Sequence, residues 1–232
     1  MARKYTAVLT VLNLAFPVII ENMLQVLVGF VDTLFVSRLG LVEVAAVTAN
    51  IEIFSYMPGY GFTTAATILM GQNLGAEKPK EAHHYGKLAC YLGAILMSLI
   101  GAVYFIFAEA LAALFTTDPI VIRQVAVALR IVALVQPALA INLIVAGALQ
   151  GAGATKFPMY LTTIGVWLIR TIGIYLLAIK AGLGLTGVWL AIALDIIFRA
   201  VFLLYRYLSK GYFRAATSIY ETLLFKKSGA SL

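Results

Sequence analysis

Glu21, Gln25 and Asp32 lie in one long apolar run near the start of the chain. At about 100° per residue, Gln25 falls about 40° and Asp32 about 20° from Glu21, with Pro17 about 40° to the other side, so all four share one narrow helical stripe. Such a stripe must face protein or water, because a charge at the bilayer centre costs on the order of 2.5–3.5 kcal/mol on insertion scales. The chemistry open to it is a substrate path, an ion relay or a paired structural contact. Asp32 has no cation near it in sequence except Arg38, which points to binding a proton or a cation. Glu21 and Gln25 are as readily satisfied by Asn13, Asn22 or another helix. Pro17 sits one turn before Glu21, where it kinks the helix or frees a backbone carbonyl.

Further polar residues are lodged in later apolar runs. Glu52 precedes Pro58-Gly59-Tyr60-Gly61, which reads as an interruption of the second run, and Gln136-Pro137 with Asn142 reads as an interruption of the fourth. Arg170 lies in the fifth run, and Asp195 and Arg199 lie in the sixth. Counted inward from the outer ends at about 1.5 Å per residue, Glu52, Arg170 and Asp195 are each roughly 12–15 Å deep and are able to meet. The cation-coupling candidates are therefore Asp32, Glu21, Glu52 and Asp195. Gln25, Asn142, Gln136, Arg170 and Tyr60 are candidates to line a substrate cavity, and Pro17, Pro58 and Pro137 are candidate hinges. A structural reading stands beside these: Asp195 and Arg199, at i and i+4 with the acid first, suit an intrahelical ion pair, and either is able to pair with Arg170 or Glu52 instead.

The elements that must position these groups are membrane spans. The chain of 232 residues is 62% hydrophobic and 12% charged, with a mean hydropathy of +0.99, which leaves too little polar surface to coat a water-soluble globule. Leu88–Ala108 is uncharged and long enough to cross a hydrocarbon core of about 30 Å. Five more spans read as Val8–Val36, Val44–Met70, Val121–Leu149, Pro158–Ile179 and Gly187–Tyr207. The expectation is an all-α polytopic membrane protein, with residues 1–208 forming one six-span lobe and 209–232 a basic cytoplasmic tail. Period-2 alternation over strand-length segments, the mark of a membrane barrel, does not stand out. Asp118-Pro119 has the form of a helix start. Glycines 71, 75, 147 and 151 suit close helix approach.

The formal charge of +7 would suit nucleic acid, but its distribution marks topology. Eleven Lys and Arg residues fall in the termini, the second and fourth connections and the tail, against three (Arg38, Arg123, Lys180) on the opposite side. The positive-inside rule then puts both termini in the cytoplasm of a multi-pass protein of the cell membrane, with no nucleic-acid partner. The start is an uncleaved first span, because Pro17, Glu21 and Gln25 interrupt any signal core. Cys90, the only cysteine, is a packing residue, and His83 and His84 read as part of a solvated connection, leaving no metal site. No nucleophile–base pair is visible, so an enzyme is not expected.

Three segments carry a resemblance. VDTLFVSRLG (Val31–Gly40), GQNLGAEKPKEA (Gly71–Ala82) and ALQGAGATKFPM (Ala148–Met159), in that order among six spans, resemble the signatures of multidrug and toxic compound extrusion transporters. The resemblance covers roughly Leu12–Phe213. It implies cation-driven antiport of amphipathic, often cationic, organic compounds through two six-helix lobes, with H⁺ or Na⁺ as coupling ion and no other cofactor. Asp32 matches the first-span aspartate implicated in coupling in amino-terminal lobes, whereas GAGATKFPM and GVWLAIALDIIFRA look more like a carboxy-terminal lobe. Gln25 stands where some branches carry a coupling glutamate. A complete member has about twice this length, so the expected partners are membrane lipid, small organic substrates and a second lobe, either an identical chain or a separate amino-terminal half. A flippase for lipids or lipid-linked precursors, and a non-transporting membrane scaffold or remnant, are the alternative readings.

Overall fold

The computed structural model describes residues 14–24, 27, 29 and 42–209. Gln25, Asp32, the first connection and the tail from residue 210 onward lie outside the described residues. The described chain is a succession of helices: α1 (Leu14–Leu24), α2 (Val42–Gly75), α3 (Pro79–Ile106), the short α4 (Ala108–Ala113), α5 (Pro119–Gly151), α6 (Lys156–Lys180) and α7 (Gly184–Leu208). On length and composition, α3, α5, α6 and α7 qualify to cross a membrane. At 34 residues α2 is long enough, but Glu43, Asn50, Glu52 and its threonines dilute its apolar character. Their order matches the second to sixth spans expected from the sequence.

Local chemistry sets the boundaries. The Asp118 carboxylate accepts from the Ile120 amide at 2.8 Å and Pro119 occupies the first turn of α5, which satisfies one of the amide groups orphaned at a helix start. Pro79 likewise opens α3 with Glu81 in its first turn, so this helix begins well before the apolar run at Leu88. That corrects the placement of His83 and His84. They lie on α3, not in a connection, and His83 stacks on Tyr207 of α7 with ring centroids 4.8 Å apart.

The interruptions expected at the internal prolines are also corrected. Helix α2 runs unbroken through Pro58 and α5 through Pro137, while Pro17 lies within α1. A proline removes one hydrogen bond from the ladder, a loss that a helix of more than thirty residues held by packing tolerates. Wider π-helical turns occur instead in α6, at Gly165–Arg170 and Tyr175–Lys180. The Thr171 hydroxyl donates to the Val166 carbonyl at 2.9 Å across the first of them.

Helix α5 is the central element, packed on α2, α3 and α7. Its Gly151 is pressed so closely on the backbone of Thr67 in α2 that a Cβ there has no room. Nearby, the Thr67 hydroxyl donates to the Gly147 carbonyl at 2.9 Å, a direct hydrogen bond between the two helices. Around α5 the apolar interior divides into two clusters. One gathers Ile51, Tyr104, Val125, Leu129, Ile174 and Val188, and the other gathers Met70, Met97, Ile144, Leu149, Leu203 and Tyr207. Along α5 the first ends at Ala133 and the second begins at Val135, and along α7 the division falls between Ala191 and Ala193. Gln136 and Asp195 stand just beyond that division, and both are fully buried.

Candidate functional site

The division between the clusters holds charge. Asp195 projects from the middle of α7, about 16 Å from the Gly184 end at about 1.5 Å per residue. Its side chain is 0% exposed. Arg199, one turn on, donates to it through two nitrogens: Nε to Oδ1 at 2.9 Å and Nη2 to Oδ2 at 2.8 Å. From α6 the Arg170 Nε approaches Oδ2 at 3.2 Å. The carboxylate is thus shared by two guanidinium groups, one in the planar two-point geometry that arginine favours.

Gly165 makes this packing possible. A Cβ at that position would run into Asp195 Oδ1 and the Arg199 side chain, so α6 comes within reach of α7 only because the residue there is glycine. Five residues later, at the end of the same π turn, Arg170 is directed at the same carboxylate. Extra-residue turns of this type rotate the following side chains relative to a regular helix and recur at functional sites.

The cluster reaches further on both sides. On α2, Tyr56 stands in the fields of Glu52, Arg170 and Arg199, and its ring is 6.3 Å from that of Tyr60. On α1, Glu21 is buried and accepts from Gln150 Nε2 of α5 at 3.1 Å, with Thr162 of α6 nearby. Arg199 is the cation whose field acts on it. Groups from α1, α2, α5, α6 and α7 therefore converge in one buried region.

Of the residues singled out in the sequence, the structure brings Arg170 and Asp195 into contact, with Glu21 in the field of Arg199 and Glu52 acting together with Arg170 and Arg199 on Tyr56. Asn142 joins the same level by donating its amide to the Ile196 carbonyl at 2.8 Å. Gln136 is fully buried, and its amide has no hydrogen-bond partner among the described residues. Tyr60 is half exposed, beside Tyr56 at the edge of the cluster. Arg130 pairs with Glu109 at the exposed outer edge at 3.1 Å, apart from the cluster. Among the described residues no group of three or more metal-ligating side chains occurs. The sequence reading missed Gln150, Thr162, Tyr56 and Gly165. Gln150 alone left a signal, as an amide just inside the end of an apolar run.

A bundle of apolar helices with ion pairs buried between them defines a multi-pass α-helical membrane protein. The MatE family model matches residues 17–176, and the chain belongs to that family. It is 30% identical over 208 residues to a Thermotoga maritima protein named "probable multidrug resistance protein NorM", covering 89% of this chain and 45% of that protein. It is also 30% identical over 203 residues to the multidrug resistance protein NorM of Burkholderia vietnamiensis, with coverage of 84% and 44%. Among solved structures, a mutant of the Vibrio cholerae MATE transporter VcmN shares the fold with a TM-score of 0.82 at 19% identity, covering 90% of this chain and 47% of that one. The outward-facing form of a multidrug resistance MATE transporter of the MOP superfamily matches with a TM-score of 0.79 at 17% identity. The chain spans a little under half the length of these proteins.

Proposed function

We propose that this chain is one lobe of an efflux transporter that exports amphipathic or cationic organic compounds by antiport with H⁺ or Na⁺. The observation that carries this reading is the buried charge region on five helices of a MatE-family chain, since a passive membrane anchor has no use for charges at that depth. The names of the relatives, multidrug resistance proteins, support the substrate class. Asp195 already has two guanidinium groups and is best read as structural, which leaves the coupling role to Asp32, with Glu21 and Glu52 as further candidates. Gln25, Tyr60, Gln136, Asn142 and Arg170 are proposed cavity residues, and Pro17, Pro58 and Pro137 are proposed points of bending within continuous helices.

A second lobe completes the proposal, because the chain covers 45% of its Thermotoga relative. Two six-span lobes begin and end on the same side of the membrane, so identical copies, or this chain and a separate amino-terminal half, stand parallel. Both termini are proposed to face the cytoplasm, with residues 209–232 as a basic tail there. The test is gradient-driven efflux in reconstituted vesicles. Asp32→Asn is expected to abolish it while membrane insertion persists. Efflux with unchanged dependence on pH and sodium in that variant would rule out the coupling role.

A further inference from the structure

We propose that the surface where α6 begins and α7 ends binds the headgroup of an anionic phospholipid, with Lys156 and Arg206 as its cationic contacts. Phe157, in the first turn of α6, brings the two together. The Arg206 guanidinium, in the last turn of α7, lies over the Phe157 ring at 5.4 Å from its centroid. Lys156 is the next residue to that ring and is exposed. A ring face holds a guanidinium in place while the N–H edge stays able to donate.

The pair has no anion of its own. Neither side chain meets a carboxylate among the described residues, and Arg206 Nε is buried there without a hydrogen-bond partner. At the same end of the bundle Glu81 is taken by Lys78 at 3.6 Å. Beyond Ser209 the sequence adds Lys210, Arg214, Lys226 and Lys227 against Glu221, so that stretch brings no excess of negative charge. Helix α6 also has no acid in its first turn and no side-chain cap at Thr155, so the positive end of its dipole adds to the same field.

The surface beside the pair suits acyl chains. Phe157 and Ile164 lie seven residues apart on one stripe of α6, with Tyr160 between them. On α7, Phe202 stands one turn before Arg206 and packs on Phe198 with ring centroids 4.6 Å apart. Tyr160, Ile164 and Phe202 are each about half exposed. A free anion would leave this apolar surface unused, and a zwitterionic headgroup would bring its own ammonium group toward two cations. The occupant is therefore a phospholipid of net negative charge, the chemistry that basic pockets between spans recognise. The site does not depend on the efflux reading, and its test has no transport readout.

The chain carries its own reporter. Of its two tryptophans, Trp189 is buried, while Trp167 of α6 is half exposed, about 16 Å from the Lys156 end at about 1.5 Å per residue. Quenching of Trp167 fluorescence by phospholipids brominated in their acyl chains reports which lipid covers this surface. The full chain is placed in vesicles of phosphatidylglycerol and phosphatidylcholine at low salt, with one lipid brominated at a time. The parent is expected to favour phosphatidylglycerol by at least about fivefold, the effect of one cation at a membrane surface. Arg206→Gln is expected to bring the ratio within about twofold of unity, and Lys156→Gln, at an exposed position that folding tolerates, to lower it as well. Lys180→Gln, at the other end of α6, is expected to leave it unchanged. Excess inorganic phosphate, compared with chloride at equal ionic strength, is expected to leave the preference in place; its loss in phosphate alone would make the ligand a free anion and overturn the lipid assignment. Equal quenching by the two lipids in the parent, or a preference that survives both Arg206→Gln and Lys156→Gln, would overturn the site.

Discussion

Replacing Asp195 by asparagine keeps the shape of the side chain and removes its charge, leaving two guanidinium groups in a buried region without the anion they share. Three contacts are at stake: Arg199 at 2.8 and 2.9 Å and Arg170 at 3.2 Å. The asparagine Nδ2 would also turn a donor toward a donor. Breaking a buried ion pair from one side costs about 3–5 kcal/mol, because the partner stays buried and uncompensated. At about 2–4 °C per kcal/mol for a chain of this size, the thermal midpoint should fall by about 6–20 °C. The single thiol, Cys90 on α3, is half-buried and provides the assay through the temperature at which a fluorogenic thiol reagent gains access in a fixed detergent. Removing one guanidinium as well, in Asp195→Asn with Arg199→Gln, should recover about 1–2 kcal/mol, within the coupling range of contacting residues. A single-variant midpoint within about 2 °C of the parent, or a double variant that is worse by the sum of the two singles, would refute the shared-carboxylate account.

Gly151→Ala should destabilise by about 1–3 kcal/mol through overpacking against the Thr67 backbone, read by the same thermal assay. Tyr207→Phe removes the hydrogen bond to the His83 carbonyl at 2.9 Å and should cost about 1 kcal/mol while leaving the ring stack in place. For orientation, cysteines placed singly at Ser37 and Glu77 in a Cys90→Ala background should respond oppositely to an impermeant thiol reagent on intact cells, with position 37 labelled and position 77 protected. The reverse pattern would invert the proposed topology.

Helix positions were legible in the sequence because lipid imposes a length and an apolar composition that a single stretch of residues displays. The ends were less so. Helix α3 begins at Pro79 because a proline at the first turn and Glu81 behind it make a good helix start, and neither contributes to an apolar run. Reading Pro58 and Pro137 as interruptions weighed one lost hydrogen bond locally, whereas the helices are held along their whole length by neighbours on other parts of the chain. Conversely, no local pattern announces the π turns of α6. The first lies where Gly165 packs on Asp195 and Arg199, thirty or more positions away, and the second where Gly187 of α7 packs on the Leu177–Ala178 backbone.

The candidate site divides along the same line. Asp195 with Arg199 was readable because i and i+4 on a helix are neighbours whatever the fold. Arg170 was a reasonable third member because depth is countable from a span's end. Glu21 with Gln150 was not readable, since 129 residues separate them and the pairing depends on how α1 lies against α5. Depth follows from counting residues along one span, whereas the partner across helices depends on how each helix is rotated about its axis, so Gln150 and Gly165 enter the cluster only in the folded chain.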